Sequence, residues 1–177
     1  PSGLVMIVVN EQAWKLIEKR RSRPSAWYLN LLIMRDFAVK QKEIQPYGIT
    51  MMVNNVRALN RALKNIKEEG LLERFKRHEQ YADYFRKELK KLGYEILADP
   101  EYASNAVTTI RNPTGYDSEE VVEIFDKHFN IRISDCLGKL SGTYVRVGHM
   151  NLGANRNSII PVIEGFRELK NISKRNK

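Results

Sequence analysis

The sequence predicts an α/β chain, and three observations predict it. Leu4 to Val9 run apolar without interruption, as does a strand covered on both faces in a parallel sheet. The stretch from Glu11 to Leu92 carries apolar stripes at three- and four-residue spacing, the mark of amphipathic helices. From Leu71 onward the order reads helix, two strands, helix, two strands, helix, which suits a small sheet covered by helices. The opening strand cannot stand alone, so its sheet partners lie outside this chain or come from another. Two parts follow, 1–69 as the end of a sheet-containing domain with a linking helix and 70–177 as a small α+β domain, divided at Gly70.

Each element has a local reason. Asn10 can cap a helix from Glu11 to Arg21, with acidic Glu11 in its first turn and Lys19, Arg20 and Arg21 in its last. Ser22-Arg23-Pro24-Ser25 breaks it. A second helix, Ala26 to Val39, is marked by Trp27, Leu31, Met34 and Ala38, and an irregular connection follows to Tyr47. Met52, Val56, Leu59, Leu63 and Ile66 place a long helix over Thr50 to Glu69, stopped by Gly70. Leu71, Phe75, His78, Ala82, Phe85, Leu89 and Leu92 form the next stripe, ended by Gly93, with His78 as a packing residue on it.

Beyond Gly93, Tyr94 to Ala98 and Ala106 to Arg111 read as strands, and Asn112-Pro113-Thr114-Gly115 as a turn. Asp117 and Glu120 compose a capping box for a helix from Ser118 to Phe129. Ile131 to Ser134 and Thr143 to Val147 are the remaining strands. The last helix, Ser158 to Asn171, carries Pro161 in its first turn, and the Lys174 to Lys177 tail is expected to fray.

Composition narrows the function classes. No apolar run is long enough to cross a bilayer, and the first residues lack the basic region and cleavage site of a signal peptide, so a cytoplasmic protein is expected. The single cysteine, Cys136, excludes an internal disulfide framework and any cysteine-cluster metal site. His78, His128 and His149 lie far apart, so no metal site is predicted. A net charge of +9 would attract anions, but Lys and Arg alternate with Glu through Lys64 to Lys91, the pattern of a solvated helix face.

The stretch from Gly142 to Met150 carries the sharpest candidate. Alternation puts Arg146 on one strand face with Tyr144, while Val145 and Val147 anchor the other. Gly148 leaves the space beside Arg146 open. A guanidinium fork held on a rigid base suits a carboxylate or phosphate.

Pro-x-Gly before an apolar strand, then Trp27-Tyr28-Leu29-x-Leu31 and Tyr47-Gly48-Ile49-Thr50 opening a long helix, resembles the class V aminotransferases. Within them the best likeness is the alanine–glyoxylate and serine–pyruvate branch. Glu69-Gly70-Leu71, Ala106-Val107-Thr108, Gly138 and Tyr144 to Met150 follow in the order of that family. The resemblance spans essentially the whole chain and implies the C-terminal part of a fold-type-I transferase that uses pyridoxal phosphate, works as a homodimer with shared active sites, and moves an amino group between a small amino acid (alanine or serine) and a 2-oxo acid (glyoxylate or pyruvate).

Carried over by position, Arg146 matches the arginine that holds the substrate carboxylate, and Tyr47 and Thr50 match residues that reach the cofactor phosphate of the other subunit. The resemblance also places the Schiff-base lysine upstream of Pro1, so no catalytic residue is assigned in this chain and the chain alone should be inactive. Two departures stand out. The segment from Asp135 lacks the paired glycines common at its start, and Asn151 replaces another frequent glycine. Two other readings remain: a basic module that binds nucleic acid, which lacks a recognisable aromatic RNA-binding strand or clamp loop, and a non-catalytic dimerisation or regulatory subunit of the same fold.

Overall fold

A computed structural model describes residues 3–113 and 115–175, with the side chains of 172–175 left aside. Pro1, Thr114 and the end of the tail, named above, lie outside it. The chain divides into two compact units, Pro1–Glu68 and Glu69–Lys177.

The first unit is helical. Helix α1 (Glu11–Lys19) is capped by Asn10, whose Oδ1 accepts from Ala13 N at 2.8 Å. The predicted second helix is interrupted: a 3₁₀ turn over Trp27–Leu29 precedes α2 (Leu31–Lys40). Asn30 causes the break, because its side chain accepts from Leu32 N at 3.1 Å and so starts a new helix at that point. Helix α3 (Val53–Glu69) begins three residues later than the stripe predicts.

Leu4 to Val9 form no strand, which corrects the expectation of one. Val8 is 96% exposed and Val5 82%. The described residues of this unit hold no strand with which a ladder could form, and a strand needs a neighbour to satisfy its amides and carbonyls.

The second unit packs three helices on one face of a small antiparallel sheet. Its elements are α4 (Leu71–Lys91), β1 (Val107–Arg111), α5 (Ser118–Phe129), β2 (Ser134–Asp135), β3 (Tyr144–Gly148) and α6 (Arg156–Arg175). The strand order is β1-β3-β2, with β3 in the centre. Phe85 and Leu89 of α4, Val121 and Phe125 of α5, and Ile163, Phe166 and Leu169 of α6 meet Ile110, Val145 and Val147 of the sheet in one core. The rings of Phe125 and Phe166 pack tilted at 52° with centroids 4.7 Å apart, and Tyr94 donates to Phe166 O at 2.7 Å. The capping box of α5 is formed as read, with Glu120 N on Asp117 Oδ1 and Asp117 N on Glu120 Oε2, both at 2.9 Å.

Four expectations change here. Tyr94 to Ala98 contributes a single bridge, Ile96 to Ile110, instead of a strand; Asp99 caps a 3₁₀ turn over Pro100–Tyr102 that turns the chain off the sheet edge. Ile131 to Ser134 shrinks to Ser134–Asp135. There, Asn130 takes a left-handed conformation (φ 54°) and Ile131 N bonds back to Phe125 O at 3.0 Å, so the end of α5 consumes an amide that a strand would have used. Helix α6 starts at Arg156, because Asn155 Oδ1 accepts from Ser158 N at 3.0 Å, which moves Pro161 into the second turn. The first half of the α4 stripe stays outside the core, with Leu71 59% and Phe75 61% exposed.

Candidate functional site

Arg146 sits in the middle of the central strand, opposite Thr109 of β1 and Ser134 of β2. Val145 and Val147 are buried on the helical side, so the guanidinium projects from the other face as alternation requires. Its Nε donates to Asp135 O at 3.0 Å. Neither terminal nitrogen has a hydrogen bond or ion pair among the described residues. A Cβ on Gly148 would meet only Met150 Cε at 3.5 Å, so the adjoining space is open. Tyr144 shares the face and lies under the Arg111 guanidinium, 5.8 Å from its ring centroid.

The contrast with other arginines is sharp. Arg35, Arg74, Arg77 and Arg86 are, like Arg146, neither buried nor fully exposed, and each has a carboxylate partner: Glu18, Glu69, Glu69 and Asp83. Arg146 alone in that class among the described residues has none. Burying part of a cation without a counter-charge is unfavourable, and an anion brought from outside would relieve it.

The loop that precedes β3 is closed by Asp135. Its Oδ1 accepts from Cys136 N at 2.7 Å and Gly142 N at 3.3 Å, and its Oδ2 accepts from the Ser141 hydroxyl at 2.6 Å. The Ser141 hydrogen bond, ahead of the backbone amides, holds this carboxyl below its usual range. Cys136 is buried beside it, and burial pushes the thiol up while the nearby Arg146 charge opposes that shift. It is a packing residue and not an activated thiolate.

The loop after β3 is fixed from α4. Asn151 adopts φ 56°, the left-handed conformation that explains why a glycine would serve there. Its N–H donates to His78 Nε2 at 3.0 Å, its Oδ1 accepts from Arg74 at 3.0 Å, and its carbonyl accepts from Arg77 at 2.9 Å. Both ring nitrogens of His78 are engaged, since Nδ1 donates to Arg74 O at 2.7 Å. Glu69 holds the two arginines together, and the Arg77 hydrogen bond lowers its carboxyl to about 2. His149 is 1% exposed, with Nε2 on Thr108 Oγ1 at 2.8 Å and no hydrogen bond at Nδ1. Burial lowers its pKa to about 4.

Tyr47 and Thr50 belong to the first unit and lie together in the turn-rich segment ahead of α3. Gly48, next to Tyr47, is pressed onto the ring edge of Trp27, where a Cβ would come within 2.9 Å, and Trp27 packs edge-on against Phe37 at 5.5 Å. This contact seats the segment. Both side-chain hydroxyls are exposed and form no hydrogen bond among the described residues. Thr50 is not the cap of α3: the first helical amide bond, Val56 N to Met52 O at 3.0 Å, places Met52 there. Helix starts of this kind, with their N–H groups aligned along the axis, favour anions.

Sequence reasoning did not find Asp135 as a loop tie, or the Glu69, Arg74 and Arg77 group. The visible trace of the first was an aspartate six residues ahead of a Ser-Gly pair.

No protein-family model matches the chain. It is 35% identical over 152 residues to an uncharacterised aminotransferase of Methanocaldococcus jannaschii, covering 86% of this chain and 38% of that one. It is 29% identical over 169 residues to the alanine–glyoxylate aminotransferase of Callithrix jacchus, covering 95% of this chain and 41% of the relative. The crystal structure of an alanine–glyoxylate aminotransferase from Nostoc sp. superimposes with a TM-score of 0.82 at 26% identity, over 90% of this chain and 42% of that one. The chain thus spans about two-fifths of the length of the relatives it matches. No helix among the described residues is long and apolar enough to cross a membrane. By its ordered motifs, its fold and these likenesses, the chain belongs to the class V aminotransferases and corresponds to their C-terminal portion.

Proposed function

We propose that this chain is the carboxylate-gripping part of a pyridoxal-phosphate-dependent aminotransferase, in which Arg146 binds the α-carboxylate of the amino-acid and 2-oxo-acid substrates. The observation that carries this reading is the half-buried guanidinium without an acidic partner, tethered through Nε so that both terminal nitrogens stay free for two parallel hydrogen bonds. The donor is a small amino acid, alanine or serine, and the acceptor glyoxylate or pyruvate; the names of the relatives support alanine and glyoxylate among these.

Tyr47 and Thr50 fit the phosphate end of the cofactor, since both hydroxyls are exposed and precede a helix start that favours anions. They serve the neighbouring subunit of a homodimer, and the enzyme is cytoplasmic. When bound, pyridoxal phosphate supplies the aldehyde that exchanges with the amino group and the electron-withdrawing ring that eases proton removal. This chain's own work is to hold the carboxylate so that the amino end is presented in one orientation, and to hold the phosphate so that the ring does not turn.

The test uses the full-length gene product with its cofactor. Arg146→Ala should raise the amino-acid KM about a hundredfold, the loss expected when one partner of a desolvated charge pair is removed, with bound cofactor unchanged. Equal loss of substrate and cofactor binding would overturn the assignment.

A further inference from the structure

The Asp135–Cys136 peptide unit is bonded from both of its ends. Its carbonyl accepts from Arg146 Nε at 3.0 Å, while its N–H is held by Asp135 Oδ1 at 2.7 Å and, more loosely, by Tyr144 O at 3.2 Å. In a trans peptide these groups point in opposite directions from one rigid plane. Whatever fixes the N–H therefore fixes the direction in which the carbonyl meets the arginine.

We propose that the Asp135 carboxylate is a positioning residue for Arg146, locking the peptide plane whose carbonyl aims the guanidinium. This rests on the reading of Arg146 as the carboxylate grip. The carboxylate also closes the loop across its far end, through Ser141 Oγ at 2.6 Å and Gly142 N at 3.3 Å, so the plane cannot rotate unless the loop opens. Gly138 and Gly142, at φ 60° and 77°, supply the tight turns that bring those donors round. The Asp135 carboxylate accepts from Cys136 N, Gly142 N and the Ser141 hydroxyl, and no ion pair to Arg146 forms among the described residues.

Two readouts test this. In the 177-residue chain, the Arg146 Nε–H resonance, identified by its loss in Arg146→Lys, should exchange slowly with solvent. Asp135→Ala should speed that exchange about tenfold, and Asp135→Asn, which keeps one acceptor oxygen, should restore most of the protection. In the full-length cofactor-loaded enzyme, Asp135→Ala should raise the KM for the amino donor about three- to tenfold with kcat and cofactor content little changed, as for a misplaced rather than a missing contact.

Unchanged Nε–H exchange and unchanged KM in Asp135→Ala would overturn the proposal and leave Asp135 a loop-closing residue only. Should Asp135→Ala fail to fold, Asp135→Val, a β-former that likewise removes the acceptor from Cys136 N, carries the same test, and an unchanged exchange rate there overturns it. If Arg146→Ala leaves the donor KM unaltered, the grip itself falls, and with it the substrate role of Asp135. The Nε–H measurement separates that failure from a failure of the peptide lock.

Discussion

Mild acid should destabilise the second unit through His149. The ring is 1% exposed, packed edge-on against Phe85 with centroids 5.6 Å apart and bonded to Thr108, and its pKa is lowered to about 4, chiefly by burial and next by the Arg86 charge. An unfolded histidine titrates near 6.5. Between those values the unfolded chain binds a proton that the folded chain refuses, so stability is complete above pH ~6.5 and falls as the pH drops toward 4. From pH 7.5 to pH 5 the loss works out at about 2 kcal/mol, approaching ~3 kcal/mol by pH 4. With a urea m-value of ~1.5 kcal/mol/M, the midpoint should fall by about 1.3 M over that range. His149→Gln removes the titration; it should begin less stable at pH 7.5 and lose far less on acidification. Urea unfolding followed by far-UV circular dichroism reads both, and comparison with the variant isolates the contribution of His149. Equal midpoint shifts in wild type and variant would refute the reasoning.

Two further outcomes follow from the packing and the ion pairs. A Cβ at Gly165 of α6 would lie 2.8 Å from Phe125 Cε1 and 3.1 Å from Cζ, so Gly165→Ala should cost about 1–3 kcal/mol of overpacking, partly offset by the ~1 kcal/mol gain in helix propensity; a net rise in the melting temperature would show that α5 and α6 part easily. Glu69, lowered to about 2 by Arg77 and Arg74, contributes stability that is present above pH ~4.5 and lost as the pH falls toward 2. Glu69→Gln should therefore flatten the acid limb below pH 4.5 and expose the 150–154 loop to faster amide exchange, whereas an unchanged acid limb would show that the pair does no work.

What the sequence disclosed was local. Asp117 and Glu120 stand three residues apart and cap α5 without outside help. Val145 and Val147 alternate with Tyr144 and Arg146, which was enough to say which way the guanidinium points. The failures were positions whose fate is decided elsewhere in the chain. Leu4 to Val9 have every property of a buried strand and lack only a neighbour in the described residues. Ile131 has a β-former's side chain, but its amide is taken by the end of α5. The burial of His149 depends on Thr108, 41 residues away, and on the ring of Phe85, and nothing in the local pattern announces either.

The same division bears on the candidate site. Residue type and alternation nominated Arg146, but an arginine on a strand face is ordinarily paired or solvated, and sequence could not choose between those fates and a third. The structure supplies the missing term of comparison. Exposed arginines such as Arg57 and Arg61 need no partner, because water solvates them, and the half-buried Arg35, Arg74, Arg77 and Arg86 each have a carboxylate from the chain itself. Arg146 has the environment of the second group and the pairing of the first. Its neighbours across the strands, Thr109 and Ser134, are neutral, and the carboxylate of Asp135, whose backbone carbonyl it binds, is turned to the loop. Every other described arginine of this class is neutralised by the chain itself, while this one has only a backbone tether and a loop tie beside it, and on that difference the proposed carboxylate grip rests.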